Sequence, residues 1–169
     1  IRRRFEHERV KGADTVRAQS FLIDQLIRVL YDTAATYVYP VANPTIGEQI
    51  SIIATGGYGR GELAPYSDID LMFLLNYKRT PRTEQVIEYM LYMLWDLGLK
   101  VGHATRSVEE AVKLSHDDLT IRTSLLEARY LWGDEALYKR FKEKFSADIE
   151  ASSGPAFVDA KLAERDERH

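Results

Sequence analysis

Asp68 and Asp70 stand two residues apart, with Ile69 between them and the apolar run Leu71 to Leu75 directly after. In a strand, period-2 alternation puts both carboxylates on one face, with α-carbons roughly 6–7 Å apart. Ile69 and Leu71 then turn the other way, toward a core. Two carboxylates held that close repel each other unless a cation sits between them. Oxygen-only ligands suit Mg²⁺, which usually takes one or two carboxylates plus substrate phosphates. Ten residues before Asp68, a glycine-rich turn, Gly56-Gly57-Tyr58-Gly59, closes the β-branched run Ile50 to Thr55. Glycines allow φ > 0 and close backbone approach. The pattern predicts a short helix over Tyr58 to Leu63, whose unpaired N–H groups would point over Gly56 and Gly57. That is an anion site suited to phosphate, and Arg60 adds a positive charge. A phosphate cradle beside a metal-binding carboxylate pair is equipment for nucleotidyl or phosphoryl transfer.

Other residues near these motifs have two readings each. The hydroxyl of Ser67 could contact a phosphate or a metal-bound water, or make a turn hydrogen bond. Tyr58 could stack on a base, or serve as a packing aromatic. Glu62 could bind Arg60 or orient the loop. A lone histidine such as His103 is more often a satisfied structural group than a ligand. Arg106 and Arg122 could reach a triphosphate or form ion pairs. Glu127-Ala128-Arg129 is read as part of a helix that makes local charge pairs.

The elements that must position these groups follow from periodicity. Residues 1–12 are charged and helical in pattern. Asp14 is a plausible N-cap for a long amphipathic helix with apolar residues at Val16, Phe21, Ile23, Leu26, Ile27, Leu30, Ala34 and Val38. That helix stops by Pro40, and the segment to Gly47 reads as a loop. Thr80-Pro81 predicts a helix start, with an apolar stripe at Val86, Met90, Leu91, Leu94 and Leu97 and Gly98 as its stop. Leu99 to Arg106 reads as a third strand. Ser107 to Glu110 is a capping box for a short helix ending near Ser115. Asp117 is read as the cap of a helix from Leu119 to Trp132, and Asp134 as the start of another through Leu137, Phe141, Phe145 and Ile149. Ser152-Ser153-Gly154-Pro155 reads as a linker or turn, and Ala156 to His169 as a polar helical segment. Three short strands among six or more helices give an α+β fold with a small mixed β-sheet flanked by helices. The chain divides into an N-terminal helical segment (1–47), a core (48–134) and C-terminal helices (135–169). Starting at Ile1 and ending in DERH, it reads as a fragment continuing beyond His169.

Composition narrows the classes. With 169 residues, 45% apolar and 29% charged, the chain can bury a real core. The net charge of −3 does not suggest broad nucleic-acid binding, so no nucleic-acid partner is expected. There is no cysteine, which excludes disulfides and thiolate metal sites and is compatible with a cytoplasmic setting. No stretch approaches the roughly 20 apolar residues of a membrane span.

The wording of the motifs carries a resemblance. Gly56-Gly57 followed by Asp68-Ile69-Asp70 resembles the signature of the DNA polymerase β-type nucleotidyltransferase superfamily. GGYGRGEL with YSDIDL, then LWDLGLKVGHATRSVEE, then DLTIRTSLLEARYLWGD is similar to the N-terminal domain of the bacterial PII uridylyltransferases. The resemblance spans about Ile50 to Asp134. It implies the nucleotidyltransferase fold, with the glycine motif at the end of one strand and the aspartates in the next. It also implies transfer of UMP from UTP to a tyrosine of the PII signal protein, with release of pyrophosphate and Mg²⁺ as cofactor. Asp68 and Asp70 would be the catalytic metal ligands, and Gly56, Gly57, Tyr58, Gly59, Arg60 and Ser67 would bind nucleotide. Related enzymes use ATP instead, and a regulatory module that binds nucleotide without turnover is a further alternative. One gap stands out. Many superfamily members add a third carboxylate from a neighbouring strand, and LKVGHATR has none. Asp117, Asp118 or Glu127 could substitute from a helix, or the missing group could lie beyond His169.

Overall fold

The computed structural model describes residues 2–41, 48–61, 63, 68–77 and 79–152, with side chains from Thr15 to Ala151. The order is helix α1 (Arg2–Thr33), a π-turn (Ala34–Val38), strand β1 (Ile50–Ala54), helix α2 (Gly56–Gly59), strand β2 (Ile69–Leu75) and helix α3 (Pro81–Asp96). Strand β3 (Val101–Ser107), helices α4 (Val108–Asp117) and α5 (Leu119–Leu126), strand β4 (Arg129–Gly133) and helix α6 (Glu135–Ser152) follow.

The four strands form one mixed sheet in the order β3-β2-β1-β4. β1 is antiparallel to both neighbours, while β2 and β3 run parallel. Parallel neighbours need a crossover, and α3 supplies it. Thr80 and Thr83 form a reciprocal capping box at its start, with Pro81 in the first turn. Gly98, at φ +81°, ends it. Leu97, expected on the apolar stripe, is 57% exposed, because the helix has ended at Asp96.

Both faces of the sheet are covered, which is why β2 reads as an unbroken apolar run. Ile69, Leu71 and Phe73 pack under α1 (Ile23, Ile27, Leu30) and α3 (Val86, Met90, Leu94). Met72 and Leu74 pack under α4, α5 and α6 through Val108, Ala111, Leu125, Phe141 and Phe145. Asp70 continues the Met72 and Leu74 row, at the end where the helical cover stops.

Four local expectations are corrected. Asp14 is not an N-cap but an interior residue of α1, which runs unbroken from Arg2. The short helix after β1 spans Gly56–Gly59 rather than Tyr58 to Leu63. Asp118, not Asp117, caps α5, accepting hydrogen bonds from the amides of Thr120 (2.8 Å) and Ile121 (3.3 Å). The expected helix from Leu119 to Trp132 is two elements: α5 ends at Leu126, and Arg129–Gly133 is a fourth strand paired to β1. Tyr130, Leu131 and Trp132 are strand formers. The vacant side of β1 offers a ladder that no local helix can match, and Leu131 is fully buried there. Most of the expected loop before Gly47 (residues 42–47), and the stretch from Ser153 to His169, lie outside the described residues.

Candidate active site

β1 and β2 are antiparallel neighbours, so the end of β1 and the start of β2 meet. The amide of Thr55 donates to the carbonyl of Asp70 at 3.1 Å, which sets the glycine turn beside the aspartates. β3 lies on the other side of β2, with Gly102 opposite Asp70. The Asp70 side chain thus rises between two glycines. A β-carbon at Gly56, whose φ is +60°, would come within 3.2 Å of Oδ2, and one at Gly102 within 2.8 Å of Oδ1. Any side chain at these two positions would press on the carboxylate.

Burial, and then the charge of Asp68, push the Asp70 carboxyl above the usual carboxylate range. Asp68 is exposed just ahead of the strand, and Asp70 is partly exposed. Among the described residues no third histidine or acid joins them in a metal-ligating group. Asp118 is occupied as a cap, and Glu127 pairs with Arg60 at 2.6 Å. The residues nonetheless fit Mg²⁺: two hard oxygen donors at an open lip, an unfavourable carboxylate pair, and room for water and phosphate to complete the shell.

Asp70 borders a cleft of about 450 Å³ between the sheet and helices α4 and α5. Its polar lining includes Thr55, Arg106 and Ser124, and Met72, Leu114, Ile121 and Leu125 supply apolar wall. Gly102, Ala104 and Arg106 alternate onto the same face as Asp70, and Arg106 lines the cleft with its Nη1 donating to the carbonyl of Thr105 at 3.0 Å. Arg122, half-buried on α5, is not among the lining residues. His103 borders the cleft, but its side chain alternates to the opposite face, where its ring lies 6.0 Å from that of Trp95.

The remaining expected nucleotide contacts divide. Gly56 and Gly57 open α2, where the first amides of a helix have no intrahelical acceptor. Arg60 is exposed beside them and held by Glu127. Gly59 is buried instead: a β-carbon there would collide with the Glu127 carbonyl and stand 3.0 Å from that of Ala54. Tyr58 is 1% exposed, and its hydroxyl donates to Asp24 Oδ1 at 2.6 Å. Burial and the Asp24 carboxylate hold that hydroxyl well above its ordinary pKa. Its ring is unavailable to stack on a base, which corrects that expectation. Ser67 and Glu62 lie outside the described residues.

Sequence reasoning missed Gly102, Thr55, Ser124 and the pair Asp24–Arg129. Only Gly102 carried a signal, since a glycine inside a strand often marks a close approach. Glu127-Ala128-Arg129 is not a helical stretch of local pairs. Glu127 ends α5, and Arg129 reaches Asp24 at 2.7 Å from β4.

The chain is 61% identical over its full 169 residues to the "bifunctional uridylyltransferase/uridylyl-removing enzyme" of Rhodospirillum rubrum. It is 59% identical, again over its full length, to the protein of that name from Azospirillum brasilense. Against that from Caulobacter vibrioides it is 55% identical over 157 residues, or 93% of this chain. The chain spans only 18%, 18% and 17% of the length of these three relatives. No helix among the described residues is long and apolar enough to cross a membrane. A family model described as "Nucleotidyltransferase domain" matches residues 43–131, from ahead of β1 through the middle of β4. That span contains the glycine turn, both aspartates and Gly102, and the chain belongs to the nucleotidyltransferase domain family.

Proposed function

We propose that this domain transfers UMP from UTP to a tyrosine hydroxyl of a PII-type signal protein and releases pyrophosphate. The observation that carries the reading is the Asp70 carboxylate, held between Gly56 and Gly102 beside Asp68 at the end of the cleft. The names of the relatives support uridylyl transfer over other nucleotidyl transfers. The tyrosine oxygen forms a bond to the α-phosphorus, the bond from that phosphorus to the bridging oxygen breaks, and the hydroxyl proton passes to solvent or a base.

Asp68 and Asp70 would hold Mg²⁺, which when bound supplies positive charge that polarises the α-phosphate. The amides of Gly56 and Gly57 receive the β- and γ-phosphates. Arg60 offsets charge on the departing pyrophosphate, and Arg106 faces the same anion from β3. The apolar wall of Met72, Ile121 and Leu125 covers part of the nucleoside.

Isothermal titration of the chain with UTP and ATP, with and without Mg²⁺, tests the binding half of the proposal. Pyrophosphate release on addition of purified PII protein tests transfer. Tight Mg²⁺-dependent UTP binding with PII-dependent release is expected. Equal use of ATP would favour an adenylyltransferase, and binding without any release would favour a regulatory module. General-base help is typically worth about 10²–10⁴ in rate. With no third carboxylate at the site among the described residues, slow turnover by the chain alone is expected.

A further inference from the structure

The glycine turn cannot hold its own shape. α2 is four residues long, far below the length at which a helix is stable alone. Its position relative to Asp70 must come from contacts outside the helix: the Thr55–Asp70 hydrogen bond at its start, the packing of Gly59 on the Ala54 and Glu127 carbonyls, and one side chain that meets its end. Arg129, on β4, donates from Nη2 to the carbonyl of Tyr58 at 3.1 Å and from Nε to the carbonyl of Gly59 at 3.3 Å. The Tyr58 carbonyl also accepts from the amide of Gly61 at 3.0 Å, so the guanidinium is a second donor there, at the C-terminal end of the helix. The guanidinium also lies 5.3 Å from the centre of the Tyr58 ring.

Arg129 is itself fixed. Its Nη1 lies 2.7 Å from Asp24 Oδ2 and its Nη2 3.3 Å from Asp24 Oδ1, a two-pronged pair with a residue of α1 that is 9% exposed. Asp24 also accepts the Tyr58 hydroxyl. One residue of α1 and one of β4 therefore grip the turn from its back, opposite the amides that open it.

We propose that Arg129, oriented by Asp24, is a positioning residue for the nucleotide site, fixing α2 so that the amides of Gly56 and Gly57 face the triphosphate beside Asp70. The inference rests on the reading of that turn as the β- and γ-phosphate site. It makes the long N-terminal helix part of the binding apparatus, although no residue of α1 lines the cleft.

The test compares UTP with UMP in the 169-residue chain, by titration calorimetry in Mg²⁺ at a temperature where circular dichroism shows each variant folded. Arg129→Lys keeps the charge and loses the fork; Asp24→Asn keeps the shape and loses the charge. Both are expected to weaken UTP about tenfold, the lower end of what loss of a supporting contact costs a site, and to leave UMP within about twofold, because UMP lacks the phosphates that the turn receives. Equal weakening of both ligands would mean a general loss of structure, and unchanged UTP affinity would mean that the turn holds itself; either overturns the proposal. Tyr58→Phe removes one hydroxyl from the same network and is read the same way should either charged-pair variant not fold. Gly57→Val is the control for the underlying reading, because a side chain at Gly56 would also press on Asp70. If it binds UTP as tightly as the wild type, the turn is not the phosphate site. If it alone loses UTP, the phosphate site stands and the role given to Arg129 does not.

Discussion

Gly102 leaves space for Asp70: a β-carbon on this strand neighbour would stand 2.8 Å from Asp70 Oδ1. The atom it would meet is the end of a flexible side chain, so the fold can accept an alanine by moving the carboxylate. Gly102→Ala should therefore melt within a few degrees of the wild type. Its Mg²⁺-dependent UTP affinity should fall about 10–100-fold, the range seen when the support of a metal ligand is disturbed. Titration calorimetry beside a thermal melt checks both halves, and an unchanged affinity would show that Asp70 is free to point elsewhere.

Asp70 also sets a pH dependence. Its carboxyl titrates above the usual range because of burial and then Asp68. A group with a raised folded-state pKa contributes stability that is full below the unfolded pKa and is lost as pH rises through the folded one. Without metal, Asp70→Asn should therefore melt higher than the wild type at neutral pH, and the gap should close as pH falls through the carboxylate range. Adding Mg²⁺ should raise the melting temperature of the wild type and not that of Asp68→Asn/Asp70→Asn. A gap that widens toward acid would contradict the sign.

Gly59 is a packing position. Its missing β-carbon lets α2 lie against the carbonyls of Ala54 and Glu127, which are backbone and cannot step aside. Gly59→Ala should cost about 1–3 kcal/mol or more, the range for overpacking, read as a lower urea midpoint. At Gly61, φ is +73° and nothing stands within 4 Å. Gly61→Ala should cost less, through backbone strain alone.

Arg60 and Glu127 form an ion pair at the edge of the turn, with the arginine side chain 49% exposed. Removing the carboxylate charge leaves more of the guanidinium field for phosphate. Glu127→Gln should tighten UTP by no more than about fivefold, given that exposed pairs are worth about 0.2–1 kcal/mol. Arg60→Ala should weaken it. Titration at two salt concentrations checks the direction, since screening should shrink both effects. A weaker UTP complex in Glu127→Gln would mean that the carboxylate holds Arg60 in its productive place.

Local patterns determined much of this protein by themselves. The run Leu71 to Leu75 reads as a strand because it is short and apolar and follows a turn, and Thr80-Pro81 and Gly98 mark the ends of α3 because caps act within a turn of chain. The glycine turn and the two aspartates were legible because the chemistry needs those residue types close together in sequence. What the tertiary structure decided is what depends on partners far along the chain. Tyr130 to Trp132 is a strand because the open side of β1, some 80 residues earlier, offers a ladder. Tyr58 is buried because Asp24 receives its hydroxyl from 34 residues away. Arg129 meets Asp24 across 105 residues, a separation at which neither periodicity nor capping carries information. Pairings of that kind are set by how helices and strands stack, so the residues that hold the turn in place became visible only in the folded chain.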